Sequence, residues 1–438
     1  MSQARLDPAP LLPGLHRLAG RLLEGVEPPP VAMVRQRLDP PVVEDVDAAA
    51  RQGVRQAVAG VAPRRVAVGV GSRGIAGIGR IVQASIAALR ELGFDPFVVP
   101  AMGSHGAATA EGQADLLAGY GVDRALIRAT MDTVVVGEVD GVPVHLDRNV
   151  AEAGAVFVVN RVKPHTSFRG PVESGLAKMC AIGLGKQAGA RHLHSRGPAG
   201  LRDLIPAAAR LLADQGILLG GLAIVENQRD QTALVQGLTA REVGAGAEAA
   251  LLAQARGLMP GIPFDDLDVL VIDRIGKDVS GAGIDTNVVG RLRVIGQPEA
   301  EPHRVTAIVA LDLTDASHGN AMGIGTADFT TARLLARIDF EALYTNSLTA
   351  GVIGIQRMVI PCVMPTDLAA VCAAISSRGR EAPLRLAWIA DTLHTEVLAV
   401  SPPLLEEARS RPELEVVGEP APMPFDAGGR LRPLGTAG

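Results

Sequence analysis

Aromatic residues make up only 3% of this 438-residue chain, with a single Trp and two Tyr. Its core must therefore be built from Ala, Val, Leu and Ile. Cysteine is equally scarce. Cys180, Cys362 and Cys372 are widely separated and form no C-x-x-C pair, so neither a disulfide framework nor a cysteine zinc site is supported. No strong charge of one sign is present. The formal net charge of −5 argues against general nucleic-acid affinity. No apolar run reaches the ~18 residues of a membrane span. The N-terminus, Met-Ser-Gln-Ala-Arg-Leu-Asp-Pro, carries no apolar signal region. From these absences we expect no nucleic-acid partner, no membrane partner and a cytoplasmic location.

What is present is a globular composition, 47% hydrophobic and 20% charged, in a chain too long for one ordinary core. Residues 1–40 are Pro-rich and read as an irregular lead-in with one short helix over 11–24. Helical spacing of apolar positions follows over 43–60. An alternation then begins: a strand at 65–70, a helix at 78–92, a strand at 94–100 and a helix at 110–120. A hairpin is expected over 133–138 and 142–146, across Asp140-Gly141. A strand at 155–159, a helix at 201–215, a strand at 218–226 and an Ala-rich helix at 241–257 complete this half. The Pro/Gly-rich stretch 259–266 is the best boundary. Beyond it strands are expected at 267–272, 305–311, 386–390 and 396–400. Helices are expected at 334–338, 366–375 and 403–410, with 352–359 mixed. The fold class is thus α/β, with two α/β domains.

The candidate chemistry gathers where apolar strands end in Gly/Pro loops, as α/β enzymes usually arrange it. Gly71-Ser72-Arg73-Gly74 follows the strand 65–70. Backbone amides at such a turn favour an anion, and Arg73 can clamp a carboxylate or phosphate; the bland reading is an exposed loop arginine. Gly103-Ser104-His105-Gly106 follows the next strand. A loop histidine there can act as acid or base, or do nothing. His165 has the same context, and two histidines on one sheet edge suit proton removal from one face of a substrate and delivery to the other. Lys178 follows the small residues of Ser174-Gly-Leu-Ala; most lysines are merely solvated. His192 and His194 share a side if 189–195 is extended and diverge if it is helical, and one of them is a candidate metal ligand. In the second half, Lys277 follows the strand 267–272 and can reach a substrate anion. Cys180, among Met179, Ala181 and Ile182, reads as a buried, inert thiol.

Arg73, the Gly-Ser-His105-Gly turn, Pro164-His165, Gly-x-Ala-Lys178 and a histidine 16 positions further on occur in one order. This ordered set resembles the nickel-pincer nucleotide-dependent lactate racemase family, most clearly over 65–195 and loosely beyond 265. The resemblance implies a racemase or epimerase of a 2-hydroxy acid, an isomerase working by reversible hydride transfer. The implied cofactor is the nickel-pincer nucleotide (nickel pyridinium-3,5-bisthiocarboxylic acid mononucleotide), covalently on Lys178. His194 would be the protein ligand to nickel, with His192 its competitor. Ser72 would help bind the cofactor, His105 and His165 would be the acid/base pair, and Arg73 and Lys277 would hold the substrate carboxylate. The implied partners are the small 2-hydroxy acid and the cofactor-biosynthesis enzymes. The implied fold is two α/β domains with the active-site cleft between them, residues 1–262 and 266–400, with 401–438 returning to the first.

The chain departs from the family pattern at three places. Gly-Val-Gly-Ser replaces an aspartate before Arg73, Arg274-Ile-Gly replaces a glutamine before Lys277, and the interval from His165 to Lys178 is longer and holds Arg169 and Glu173. We therefore expect a larger or more polar substrate than lactate, with its selection written in Lys163, Arg169, Glu173 and Lys186. Two other classes remain open: a cofactor-free or divalent-metal isomerase or dehydratase acting on a hydroxy acid, and a non-catalytic two-domain anion-binding protein.

Overall fold

A computed structural model describes residues 4–71, 74–103, 109–297, 299, 305–379 and 382–435. The chain forms two compact α/β units. One is Pro40–Met259; the other joins Met1–Asp39 to Pro260–Gly438. Among the described residues no helix is long and apolar enough to cross a membrane.

The first strand, β1 (Val31–Gln36), belongs to the second of these units. The unit Pro40–Met259 holds β2 (Arg65–Val70), β3 (Asp95–Pro100), β4 (Thr133–Val139), β5 (Val142–Asp147), β6 (Val156–Arg161), β7 (Leu218–Glu226) and β8 (Thr232–Thr239). Five of these form one sheet in the order β3-β2-β6-β7-β8, parallel except for β8. Both faces of the sheet are covered. Val66, Val68 and Val70 enter one core cluster while Ala67 enters the other. Burial on both sides is why these strands read as continuous apolar runs rather than as an alternation. The β4–β5 hairpin turns at Asp140 (φ 49°) and Gly141 (φ 73°), both left-handed, as a two-residue turn with the right twist requires.

The other unit carries β9 (Leu267–Ile275), β10 (Val305–Leu313), β11 (Phe329–Thr331), β12 (Cys362–Met364), β13 (Leu386–Ile389), β14 (Val397–Val400) and β15 (Leu414–Ala421). The sheet runs β12-β11-β10-β9-β13-β14-β1-β15. Its first five strands are parallel, and β14, β1 and β15 add antiparallel.

This differs from the expected division 1–262, 266–400 and 401–438. Residues 1–39 join the C-terminal unit because β1 inserts between β14 and β15. The segment 401–438 stays with the same unit, through β15 on β1. The lead-in is therefore not wholly irregular; its Val31-Ala-Met-Val run satisfies its backbone in a sheet whose other strands lie hundreds of residues away. Helix starts also shift. The Ala-rich helix is Gly246–Gly257, and the mixed stretch holds a helix, Val352–Arg357. Cys180 is buried, and burial pushes its thiol far above the ordinary range.

Candidate functional site

In the sheet of Pro40–Met259, β2 is followed outward by β3 on one side and β6 on the other. The strand order reverses there, which is where open parallel sheets hold ligands, at the carboxyl ends. Gly71 ends β2 at that point. A Cβ on it would stand 2.0 Å from Asn160 Oδ1 and 3.4 Å from Met179 Sδ, so only glycine fits. Asn160, near the end of β6, donates from Nδ2 to the carbonyls of Arg161 (3.1 Å) and Gly175 (3.2 Å). Further along, the Ala76 N–H donates to Glu226 Oε1 at 2.6 Å, and Glu226 is ion-paired with Arg161. On the other side, the Gly103 N–H after β3 donates to Gly183 O at 3.1 Å. Both loops thus leave their strands against the segment 175–183. Ser72, Arg73 and His105, expected on those loops, lie outside the described residues.

Lys178 closes a short helical turn, Leu176–Lys178, that continues as a π-helical turn, Met179–Gly183. Single π turns are rare and gather at functional sites. Buried Glu248 fixes the start of the turn. It accepts from Ala177 N–H (3.2 Å) and Gly244 N–H (2.7 Å), and a Cβ at Gly175 would meet its Oε1 at 2.0 Å. Burial pushes the Glu248 carboxyl up, and these N–H donors oppose that. The Lys178 ammonium lies 3.4 Å from Ser174 Oγ.

Residues 186–194 are helical (Lys186–His194), so His192 and His194 diverge. His194 is half-buried. Burial, and then the nearby Lys178 charge, bring its pKa down to about 4, so the ring is neutral at physiological pH. His192 turns the other way and stacks on His145, centroids 5.0 Å apart and rings 8° from parallel. His192 Nδ1 is 3.1 Å from His145 Nε2, whose Nδ1 in turn is 3.0 Å from Thr133 Oγ1. Sixteen positions of sequence are thus folded so that Lys178 and His194 act on one another, while His192 has a different partner.

The loop bearing His165 is tied at its neck by Lys163 and Ser174, which exchange backbone hydrogen bonds. Glu173, wholly buried, organises its interior. Its carboxylate accepts from the N–H of His165 (2.6 Å) and Gly170 (3.2 Å) and pairs with Arg256 at 2.7 Å. Arg169 donates to the carbonyls of His165 (2.6 Å) and Phe168 (3.2 Å). The His165 ring packs on Phe168 at 4.6 Å, and its Nδ1 accepts the Ser167 N–H at 3.1 Å. In the neutral ring the proton therefore sits on Nε2. Lys186 is buried too, at left-handed φ 53°. Its ammonium pairs with Asp147 at 3.0 Å and donates to Pro100 O and Gln113 Oε1; Gln113 Nε2 reaches Gly103 O at 2.9 Å. Burial pulls this lysine down and pushes its aspartate up, and their attraction opposes both. Lys163, Arg169, Glu173 and Lys186 were expected to select the substrate. Glu173 and Lys186 are buried and tie loops together through distant partners, Arg256 and Asp147, which the local sequence does not reveal.

Lys277, in the other unit, follows β9. Its N–H donates to Ser317 Oγ (2.8 Å), and its ammonium donates to Gly281 O (2.9 Å) and contacts Met322 Sδ (3.3 Å). A histidine given no role by the sequence, His394, is oriented there by Asp391. Its ring Nδ1 lies 2.8 Å from the carboxylate, which also accepts the His394 N–H.

No family model and no curated protein matches the chain. Among solved structures, it is similar to the lactate racemase apoprotein from Thermoanaerobacterium thermosaccharolyticum. The identity is 10%, the TM-score 0.49, and the match covers 83% of this chain and 98% of that one. It is also similar to a structural-genomics protein from Thermotoga maritima, at 15% identity and TM-score 0.43, over 60% of this chain and 70% of that one. Likeness at this level assigns no residue a role and the chain no activity.

Proposed function

We propose that this chain is an isomerase of the nickel-pincer lactate racemase type, racemising or epimerising a 2-hydroxy acid. The observation that carries the reading is a half-buried His194 near enough to Lys178 to feel its charge, with the Lys178 turn packed against Gly71 at the switch point of the sheet. The ordered motif set of Arg73, His105, His165, Lys178 and His194 supports it. The donor set fits the cofactor. A neutral imidazole offers a lone pair to a metal. Among the described residues no three His, Cys, Asp or Glu gather into a metal site. Gly71 and Gly175 leave no side chain of their own beside the Lys178 turn. Lys178 would carry the cofactor covalently, His194 would hold its nickel, and Ser72 would contact it. When bound, it supplies a hydride-accepting carbon, which no side chain can provide.

The chain's own residues then divide the remaining work. Arg73 would hold the substrate carboxylate and so fix the reacting carbon. His165, with Nδ1 taken by the Ser167 N–H, presents Nε2–H, the form that gives a proton to a substrate oxygen. Proton removal from the hydroxyl falls to His105. Glu173, which anchors the His165 loop, is buried, and so supplies no reason for a more polar substrate than lactate.

The test is production alongside the cofactor-making enzymes, followed by intact mass, nickel content and chiral chromatography of a 2-hydroxy acid panel. The expected result is a mass adduct lost in Lys178→Ala, with nickel lost in His194→Ala and turnover lost in both. Turnover by protein with an unmodified Lys178 and no nickel would overturn the reading in favour of cofactor-free chemistry.

A further inference from the structure

A cavity of about 430 Å³ opens at the carboxyl ends of β9 and β10. Asp273 and Arg274 enter it from β9, Arg333 and Arg337 from the helix Ala332–Arg337, and Arg430 from the chain's last described segment. This is the edge at which parallel sheets take ligands, and the volume is that of a small-molecule site.

The arginines are of two kinds. Arg333 pairs with Asp312 (3.1 Å) and Asp367 (3.2 Å), and Arg337 pairs with Asp312 (3.2 Å) and Asp315. Their charges are answered within the wall. Arg274 and Arg430 are exposed to the cavity, and neither guanidinium has a hydrogen-bonded or ion-paired partner among the described residues. Two further carboxylates line the cavity with them. Asp278 sits at the rim and accepts the Thr314 hydroxyl at 2.5 Å, a bond from a neutral donor. Asp273 is buried and accepts from Trp388 Nε1 and Leu434 N–H, both at 2.7 Å; burial raises its pKa to about 7, so near neutral pH its charge is only partly present. The roof is fixed by the same acids. Asp367 accepts the Leu431 N–H (2.9 Å) and Asp273 the Leu434 N–H, and together they hold the tail that carries Arg430.

We propose that this cavity is an anion site for a small molecule bearing a dianion, clamped by Arg274 and Arg430. A phosphate monoester and a dicarboxylate share that chemistry, and a guanidinium binds either one bidentately. The site is separate from Lys277, which does not line it and whose ammonium is bonded within its own loop.

Calorimetric titration of the full chain with ribose 5-phosphate, succinate and neutral ribose tests this. The expected result is binding of ribose 5-phosphate or succinate but not ribose, weakened about tenfold per arginine, thus roughly a hundredfold in Arg274→Ala/Arg430→Ala. Which charged probe binds identifies the anion. Unchanged far-UV circular dichroism and an unchanged urea midpoint in the double variant keep a folding failure from passing as a lost site. No binding of either charged probe by the native chain at about 10 mM, equal binding by the double variant, or equal loss in Lys277→Ala would each overturn the proposal.

Discussion

Asp273→Asn is a sharp perturbation because its effect reverses with pH. The residue is 4% exposed, and burial is the chief cause that raises its pKa from 3.8 to about 7, against hydrogen bonds from Trp388 and Leu434 and the charge of Arg274. The folded state therefore keeps a proton that the unfolded chain releases near pH 4. Stability linked to this group is complete below pH 4 and is lost as pH rises through 7, at about 1.4 kcal/mol per pH unit and roughly 4 kcal/mol in all. Asparagine does not titrate, so the variant lacks that slope. It has its own cost, because one of the two donors now meets an amide NH₂, worth about 1–3 kcal/mol. The native chain should thus be the more stable at pH 4, and the variant should equal or overtake it by pH 8. Urea unfolding followed by Trp388 fluorescence reads this directly. Trp388 is the only tryptophan, and its indole donates to the carboxyl in question. In the folded protein its emission should also titrate near pH 7, and this titration should vanish in the variant. Parallel stability curves for the two proteins between pH 4 and 8, or a flat native emission, would refute the reasoning.

Lys186→Met leaves Asp147 buried without its counter-charge and should cost about 3–5 kcal/mol in urea unfolding followed by far-UV circular dichroism; adding Asp147→Asn should recover most of that. Glu248→Ala strips the acceptor from the Ala177 and Gly244 N–H groups and should cost about 2 kcal/mol or more, with faster hydrogen exchange at both amides, while Glu248→Gln retains an acceptor and exchanges more slowly. His192→Ala breaks the stack on His145 and the hydrogen bond to it, and should leave nickel content near native, unlike His194→Ala.

Much of the first sheet was legible because its strands are buried on both faces. Val66-Ala-Val-Gly-Val and Leu218–Glu226 are unbroken apolar runs with glycine or proline beside them, and local composition decides their state. The hairpin was legible for the same reason, since Asp140-Gly141 meets a conformational demand within two residues. β1 and β15 were not legible. Each forms only because a partner hundreds of residues away or at the chain's other end completes its ladder, and β15 carries Glu415, Gly418 and Pro420 and is largely exposed. The helical state of 186–194 was equally hidden, with Gly185 just before the run and Gly189 within it. That state decides which way His192 and His194 point.

The charges between Lys163 and Lys186 show why a crowded loop in a sequence does not by itself say what each charge does. Their crowding after a strand marks the carboxyl edge of the sheet, because such a loop needs many polar anchors. The same crowding cannot tell an anchor from a substrate contact. That distinction depends on burial, and burial depends on Arg256 reaching Glu173 and Asp147 reaching Lys186. An ionised group with no exposed surface is costly unless it is paired and hydrogen-bonded, so each of these pairs carries its own hydrogen-bond set. Glu173 holds the His165 loop, and Lys186 with Gln113 ties the His194 helix to the loop that follows β3. Substrate choice is then left to residues that keep a charge outside such anchoring. It follows that Glu173→Gln should shift His165 and lower turnover of every substrate alike, and a change in the ranking of a 2-hydroxy acid panel would contradict this.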